Sequence, residues 1–277
     1  MINDCQTNTV YVSSLLKTRK QFAPVFKRLT ETLDELRVPW NVLEGTNDIW
    51  ARDYMPVQVS KTHFVQFDYH PSYLMNSAYW RKTITDGAAV VRRLGIEPEL
   101  SNIKLDGGNL VHFDGKVIIT DRVVRENPQY EKKALLKELK RLLEVDEIIL
   151  IREEPGDEFG HADGMAWFSL RNDLVFINEY PPGMRNIEKQ VTEDIEKHGI
   201  KVLRFFPVNQ HMVGAGVPIN FLQVGKWALY PVFGLKTDDA TRRTFKTLFG
   251  PFGRPIRANE LAREGGLLHC ATWNILR

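Results

Sequence analysis

Only two cysteines, Cys5 and Cys270, occur in 277 residues. That is too few for a disulfide-stapled scaffold and fits a reducing compartment. No uninterrupted apolar run approaches the ~18 residues that a membrane-spanning helix needs. There is no basic block, and 37 Lys and Arg against 35 Asp and Glu leave a net charge of +2. That balance argues against a dedicated nucleic-acid binder. The opening Met1-Ile2-Asn3-Asp4-Cys5-Gln6 lacks the basic-then-apolar order of a signal peptide. The expected setting is therefore cytoplasmic, with neither membrane nor nucleic acid as partner. A chain that is 43% hydrophobic and 26% charged has enough apolar material for one large globular domain, expected to span residues 1–277.

What is present is an order of elements that repeats. Apolar residues at Phe22, Val25, Phe26, Leu29, Leu33 and Leu36 predict an amphipathic helix over 17–37, stopped by Pro39 and preceded by a strand over 9–16. A short strand at 40–43, a polar turn and a hairpin over 55–67 follow. The same order recurs. Helices are predicted at 79–94, 129–143, 187–198 and 238–249, and strands at 100–105, 147–151, 201–206 and 255–258. Hairpins follow at 110–120, 165–178 and 219–232, and an extended stretch covers 267–276. Asp114-Gly115 is a strong two-residue turn signal. One polar residue marks each intervening turn: Asp53, Asp106, His161, Asn220 and Cys270. They are spaced by 53 (106 − 53), 55 (161 − 106), 59 (220 − 161) and 50 (270 − 220) residues. A period near fifty with one supersecondary unit per period indicates a repeat or propeller architecture of the α/β class. In a closed ring the equivalent turns meet on one axis and gather their polar residues into one pocket. A doubly wound sheet is disfavoured, because hairpins follow the strands where crossover helices would be needed. The glycine-containing stretch 207–218 reads either as a surface loop or as a lid.

The turns carry chemistry-bearing residues. His161 and Asp163 are two apart and, on an extended backbone, point to one side, placing a titrating base beside a carboxylate. Cys270 follows the Gly265-Gly266 turn. It reads either as a small apolar filler or as a nucleophile, given a neighbour that lowers its pKa. Asp53 and Asp163 supply two carboxylates, which suit a planar cation such as a guanidinium. Asp53 alone reads as a partner of Arg52 or a helix cap, Asp106 as an ordinary turn residue and Asn220 as a satisfied turn amide. His269 alternates to the far side of a strand from Cys270 and reads as structural. No metal-ligand spacing stands out.

Four ordered motifs span nearly the whole chain: Trp50-Ala51-Arg52-Asp53-Tyr54-Met55-Pro56, Asp106-Gly107-Gly108, Gly160-His161-Ala162-Asp163 and Gly265-Gly266-Leu267-Leu268-His269-Cys270. Together they resemble the agmatine deiminase and bacterial peptidylarginine deiminase family of the guanidine-modifying superfamily. The resemblance implies a five-unit α/β propeller of the pentein type. It also implies a hydrolase that releases ammonia from a guanidino carbon through a thiouronium on cysteine, without metal or organic cofactor. Carried over, Cys270 is the nucleophile and His161 the general acid, then base. Asp53 and Asp163 hold the guanidinium nitrogens, and Trp50 packs on the aliphatic stem. Asp106 stands where relatives carry a glutamate that orients the histidine, one methylene longer. Asp106 and Asn220 complete the expected substrate-binding set. The expected ligand is a small guanidino compound, agmatine- or arginine-like. The alternatives are an amidinotransferase, an arginine dihydrolase-like enzyme and a non-catalytic guanidino binder. No stretch encodes an oligomeric state, and a homodimer is the default expectation.

Overall fold

A computed structural model of the chain describes residues 1–171, 173–208 and 216–277. The centre of the 207–218 stretch, and with it the question of a lid, lies outside the described residues. The described strands form five three-stranded sheets. In chain order they are β1 (Thr9–Ser13), β2 (Trp40–Leu43), β3 (Val57–Gln58), β4 (Phe64–Asp68), β5 (Glu99–Lys104), β6 (Val111–Phe113), β7 (Lys116–Thr120), β8 (Glu147–Ile151), β9 (Ala166–Phe168), β10 (Leu174–Glu179), β11 (Lys201–Pro207), β12 (Leu222–Val224), β13 (Trp227–Val232), β14 (Gly253–Arg257) and β15 (Thr272–Ile275).

Four sheets share one plan: an antiparallel hairpin, then a helix, then a third strand parallel to the second. The helix is what a parallel neighbour requires. The crossover helices are α1 (Ala23–Glu35), α2 (Gly87–Arg92), α3 (Lys132–Leu143), α4 (Arg185–Glu196) and α5 (Asp238–Phe249). The fifth sheet follows the same plan across the chain ends. β15 lies antiparallel to β1 with Thr9 opposite Ile275, and β2 joins parallel after α1.

Local sequence explains the units. Asp114 and Gly115 both take positive φ, 45° and 78°, as a tight hairpin between β6 and β7 demands. α3 buries Leu135, Leu139, Leu142 and Leu143, one apolar stripe, each side chain contributing about 1.5–3 kcal/mol. Glu131 caps its first turn by accepting from the Ala134 amide at 3.2 Å. The central strand of each sheet is buried on both faces. Along β7, Val117 and Ile119 join one core cluster while Ile118 joins the next, so alternation sends successive side chains into adjacent cores. Among the described residues no helix is long and apolar enough to cross a membrane.

Several expected boundaries move. The strand expected over 9–16 ends at Ser13, whose hydroxyl accepts from the Leu15 amide and starts a short helix. The helix expected over 79–94 is broken into Ala78–Arg81 and α2. Ser77 caps the first piece at its start, and Asp86 offers a second side-chain cap in mid-segment, competing with helix continuation. The extended stretches expected at 163 and over 267–276 are turns where it matters. Ala162–Gly164 is a single 3-10 turn, and 267–271 curls back through the Ala271 amide to the Leu267 carbonyl.

The sheet-to-sheet turns hold all five marked residues. Asp53 lies between β2 and β3, Asp106 between β5 and β6, His161 between β8 and β9, Asn220 between β11 and β12, and Cys270 between β14 and β15.

Candidate active site

These turns converge. A single helical turn, Ala51–Tyr54, presents Asp53, and its Arg52 amide donates to the Cys270 carbonyl at 3.0 Å. The turn Gly107–Asn109 packs beside it, and the Gly108 amide donates to Asp53 Oδ1 at 2.9 Å. A Cβ on Gly108 would sit 2.6 Å from Asp53 Oδ1 and 2.7 Å from His161 Nδ1. The glycine is therefore what lets the carboxylate and imidazole close on one another. Asn109 Oδ1 accepts from the amides of Thr120 and Ala162, tying this turn to the one that carries His161 and Asp163.

His161 is buried between two carboxylates. Nε2 lies 2.9 Å from Asp106 Oδ2 and Nδ1 lies 3.6 Å from Asp53 Oδ1. The aspartate, one methylene shorter than the glutamate of the resemblance, reaches the ring. Tyr73 donates to the same Asp106 oxygen at 3.2 Å. Burial works against charge on the ring, but Asp53, Asp106 and Asp163 overcome it and raise His161 to about 10. Burial also raises Asp53, helped by Asp106 and Asp163 and opposed by His161. Both partners thus hold protons readily, and the shared charge is assigned to the ring, because Asp106 receives Nε2 at full hydrogen-bond distance.

Cys270 faces Asp163, with Sγ 3.6 Å from Oδ2. Asn220 fixes the cysteine from both ends, its Nδ2 3.1 Å from Sγ and its Oδ1 accepting from the Cys270 amide at 3.3 Å. Burial, then Asp163 and Asp53, push the Cys270 thiol well above its usual range. Burial opposes charge on Asp163 too, yet the hydrogen bond from His269 and the nearby cations keep its carboxyl below the usual range.

Trp50 is half-buried and lies on the Gly265-Gly266 turn. A Cβ on Gly266 would meet its indole at 2.5 Å, and one on Gly265 would meet Phe159 at 2.8 Å. The paired glycines admit two aromatic side chains beside the turn that carries Cys270. Phe159 packs edge-on to Tyr73 at 5.3 Å.

Cys270, His161, Asp163, Asp53, Asp106, Asn220 and Trp50 are thus brought into one neighbourhood. Sequence reasoning missed Tyr73, Phe159 and His269. His269 was read as facing away, but its Nδ1 lies 2.7 Å from Asp163 Oδ2. Strand alternation does not apply to a backbone that curls from Leu267 to Ala271. Arg52, a candidate partner for Asp53, turns instead to Asn274. Among the described residues no three His, Cys, Asp or Glu side chains are arranged to hold a metal ion.

Comparison with curated protein sequences gave no significant match. Solved structures gave many. The agmatine deiminase of C. jejuni superposes with a TM-score of 0.77 at 16% identity, covering 100% of this chain and 95% of that one. The agmatine deiminase of Enterococcus faecalis gives 0.77 at 16%, covering 99% and 94%. A structure provisionally assigned as a peptidyl-arginine deiminase gives 0.82 at 15%, covering 100% and 98%. At these identities the likeness speaks for the fold. The sequence itself matches the Porphyromonas-type peptidyl-arginine deiminase family over residues 3–275. The chain belongs to that family.

Proposed function

We propose that this deiminase acts on a small guanidino substrate, agmatine- or arginine-like, with Cys270 as nucleophile. We further propose that the five sheets are the units of one pentein-type α/β propeller, a single catalytic domain over 1–277. The strand pairing across the chain ends and the two-faced burial of β7 support the ring. The observation that carries the chemical reading is the buried cluster of Cys270, a cationic His161 and two carboxylates, Asp53 and Asp163, with no arginine among the described residues hydrogen-bonded to either.

The site's charge explains the order of events. Without substrate, burial and the carboxylates favour the thiol. A guanidinium between Asp53 and Asp163 reverses the field at Cys270, so the thiol releases its proton to solvent when the cation arrives. The thiolate attacks the guanidinium carbon, and the tetrahedral species stays beside the two aspartates. His161, already protonated, delivers its proton to the departing nitrogen, which leaves as ammonia. The neutral imidazole then takes a proton from water. The resulting hydroxide adds to the thiouronium, and collapse of that adduct forms the ureido product and expels the sulfur, which takes up the hydroxyl proton and re-forms the Cys270 thiol. Asp106 and Tyr73 hold His161 in place, Asn220 holds Cys270, and Trp50 flanks the stem of the substrate.

The test is ammonia release with mass detection of products from agmatine, arginine, N-acyl-arginine and an arginine peptide, run beside Cys270→Ala. Release from a small guanidine that falls by about 10³-fold or more in the variant supports the reading. Activity surviving in Cys270→Ala would remove the cysteine from the mechanism. Release from the peptide alone would overturn the small-substrate assignment.

A further inference from the structure

His269 does not simply fill space beside the nucleophile. Its ring is buried between two carboxylates, with Nδ1 2.7 Å from Asp163 Oδ2 and Nε2 3.7 Å from Asp4 Oδ2. Asp4 comes from the opposite chain end, in the turn Asp4–Gln6 that precedes β1. It is held there because its Oδ1 accepts from Asn274 Nδ2 at 2.9 Å, and Asn274 in turn accepts from Arg52. One oxygen of Asp163 is therefore committed to His269, and the same oxygen faces Cys270 Sγ.

We propose that His269 and Asp4 are positioning residues for the deiminase site, with a protonated His269, held by Asp4, setting the orientation and charge of Asp163. The proposal rests on Asp163 serving the reaction proposed above. A cation at His269 keeps Asp163 ionised for the guanidinium and weakens the repulsion that Asp163 exerts on a thiolate at Cys270. Without Asp4 the ring would face Asp163 on one side and the Arg52 guanidinium on the other, and its proton would be less secure. Burial and Arg52 oppose the charge on His269, whereas Asp163 and Asp4 raise its pKa. Other ionisable neighbours are Cys270, Cys5 and His112; burial, with Asp4, raises the Cys5 thiol, and burial pushes His112 down to about 4 and keeps it neutral. Behind this row lies a small cavity of about 40 Å³ whose lining includes Asp4, Arg52, His112, Gln223, His269 and Asp163, but not Cys270, His161 or Asp53. Asp163 and His269 are thus the wall between that cavity and the reacting groups.

A pH profile separates this role from mere packing. Ammonia release is measured against pH for the wild type, Asp4→Asn, Asp4→Glu and His269→Gln. The His269 ring is followed by carbon–proton NMR, its signal assigned by its loss in His269→Gln. In the wild type the ring stays protonated well above the ~6.5 of an ordinary histidine. In Asp4→Asn the ring titrates lower, and the alkaline limb of kcat/KM moves down by about one pH unit or more. Near pH 6 the rate stays close to wild type, and Asp4→Glu restores the alkaline limb. A wild-type ring that titrates near 6.5, or an Asp4→Asn profile that is unchanged or only uniformly lowered, overturns the proposal. If the wild type releases no ammonia from any guanidine, the reaction assignment fails while the NMR titration still decides the pairing of His269 with Asp4.

Discussion

Two histidines flank the nucleophile, and each is bracketed by two carboxylates. His161 sits between Asp106 and Asp53, and His269 between Asp163 and Asp4. The brackets look alike in distance but differ in construction. The first is built from three successive sheet-to-sheet turns, locked by Gly108 and Asn109. The second joins the last such turn to Asp163 of the turn between β8 and β9 and to Asp4 at the far end of the chain. In the proposed reaction the imidazole of the first bracket is the working group and the carboxylates tune it, whereas in the second one carboxylate is the working group and the imidazole tunes it. Burying a histidine between carboxylates therefore serves two ends: it stores a proton for transfer, or it fixes a charge that must not move.

The contrast is tested most sharply at the first ring. His161→Gln is expected to lower kcat by about 10²–10⁴ at every pH where the wild type works, measured by ammonia release. Asp106→Asn removes one charged hydrogen bond, worth about 1.5–3 kcal/mol, and should lower kcat by roughly 10–150-fold while leaving KM nearly unchanged. Tyr73→Phe removes only a donor to Asp106 and should cost about 0.5–1.5 kcal/mol in the same assay.

The first bracket also predicts a pH dependence of stability. His161 is raised in the folded state to about 10, above the ~6.5 of an unfolded chain. Its contribution to stability is therefore complete below that lower value and is lost as the pH rises through the upper one. The thermal midpoint should fall over that window, and Asp106→Asn should flatten the fall. The smallest effect lies outside both brackets. Asp86→Ala, which uncaps α2, should cost about 1 kcal/mol of stability by denaturant titration and leave kcat unchanged. A loss of turnover in that variant would show that the site depends on the outer helices more than its turns suggest.

The first bracket was largely legible in the sequence and the second was not, for physical reasons. Turn residues repeating near every fiftieth position could be predicted to meet, since equivalent points of equivalent units fall together. Asp53, Asp106, His161, Asn220 and Cys270 all followed from that periodicity and from the motifs. The five-sheet plan followed from hairpin signals such as Asp114-Gly115. Asp4 belongs to no repeat, and its partner lies 265 positions away (269 − 4), so no spacing links them. His269 reads as structural because a two-residue alternation does not reveal that the backbone curls here and brings its ring to Asp163. Tyr73 comes from a single helical turn, Ser72–Met75, between β4 and α2, ahead of the expected helix and outside the repeated turns. Periodicity predicts what a unit repeats, and it is silent about what crosses between units.

The pairing of β1 with β15 carries a kinetic consequence. Thr9 finds Ile275 only after nearly the whole chain is available, and contacts this distant in sequence form slowly. Cys270 precedes one of these strands by two residues and Asp4 precedes the other by five. The seam that closes the fold is therefore also the step that assembles the nucleophile's side of the pocket. Refolding from denaturant should return most of the secondary structure before any turnover, and activity should appear only with the slowest phase.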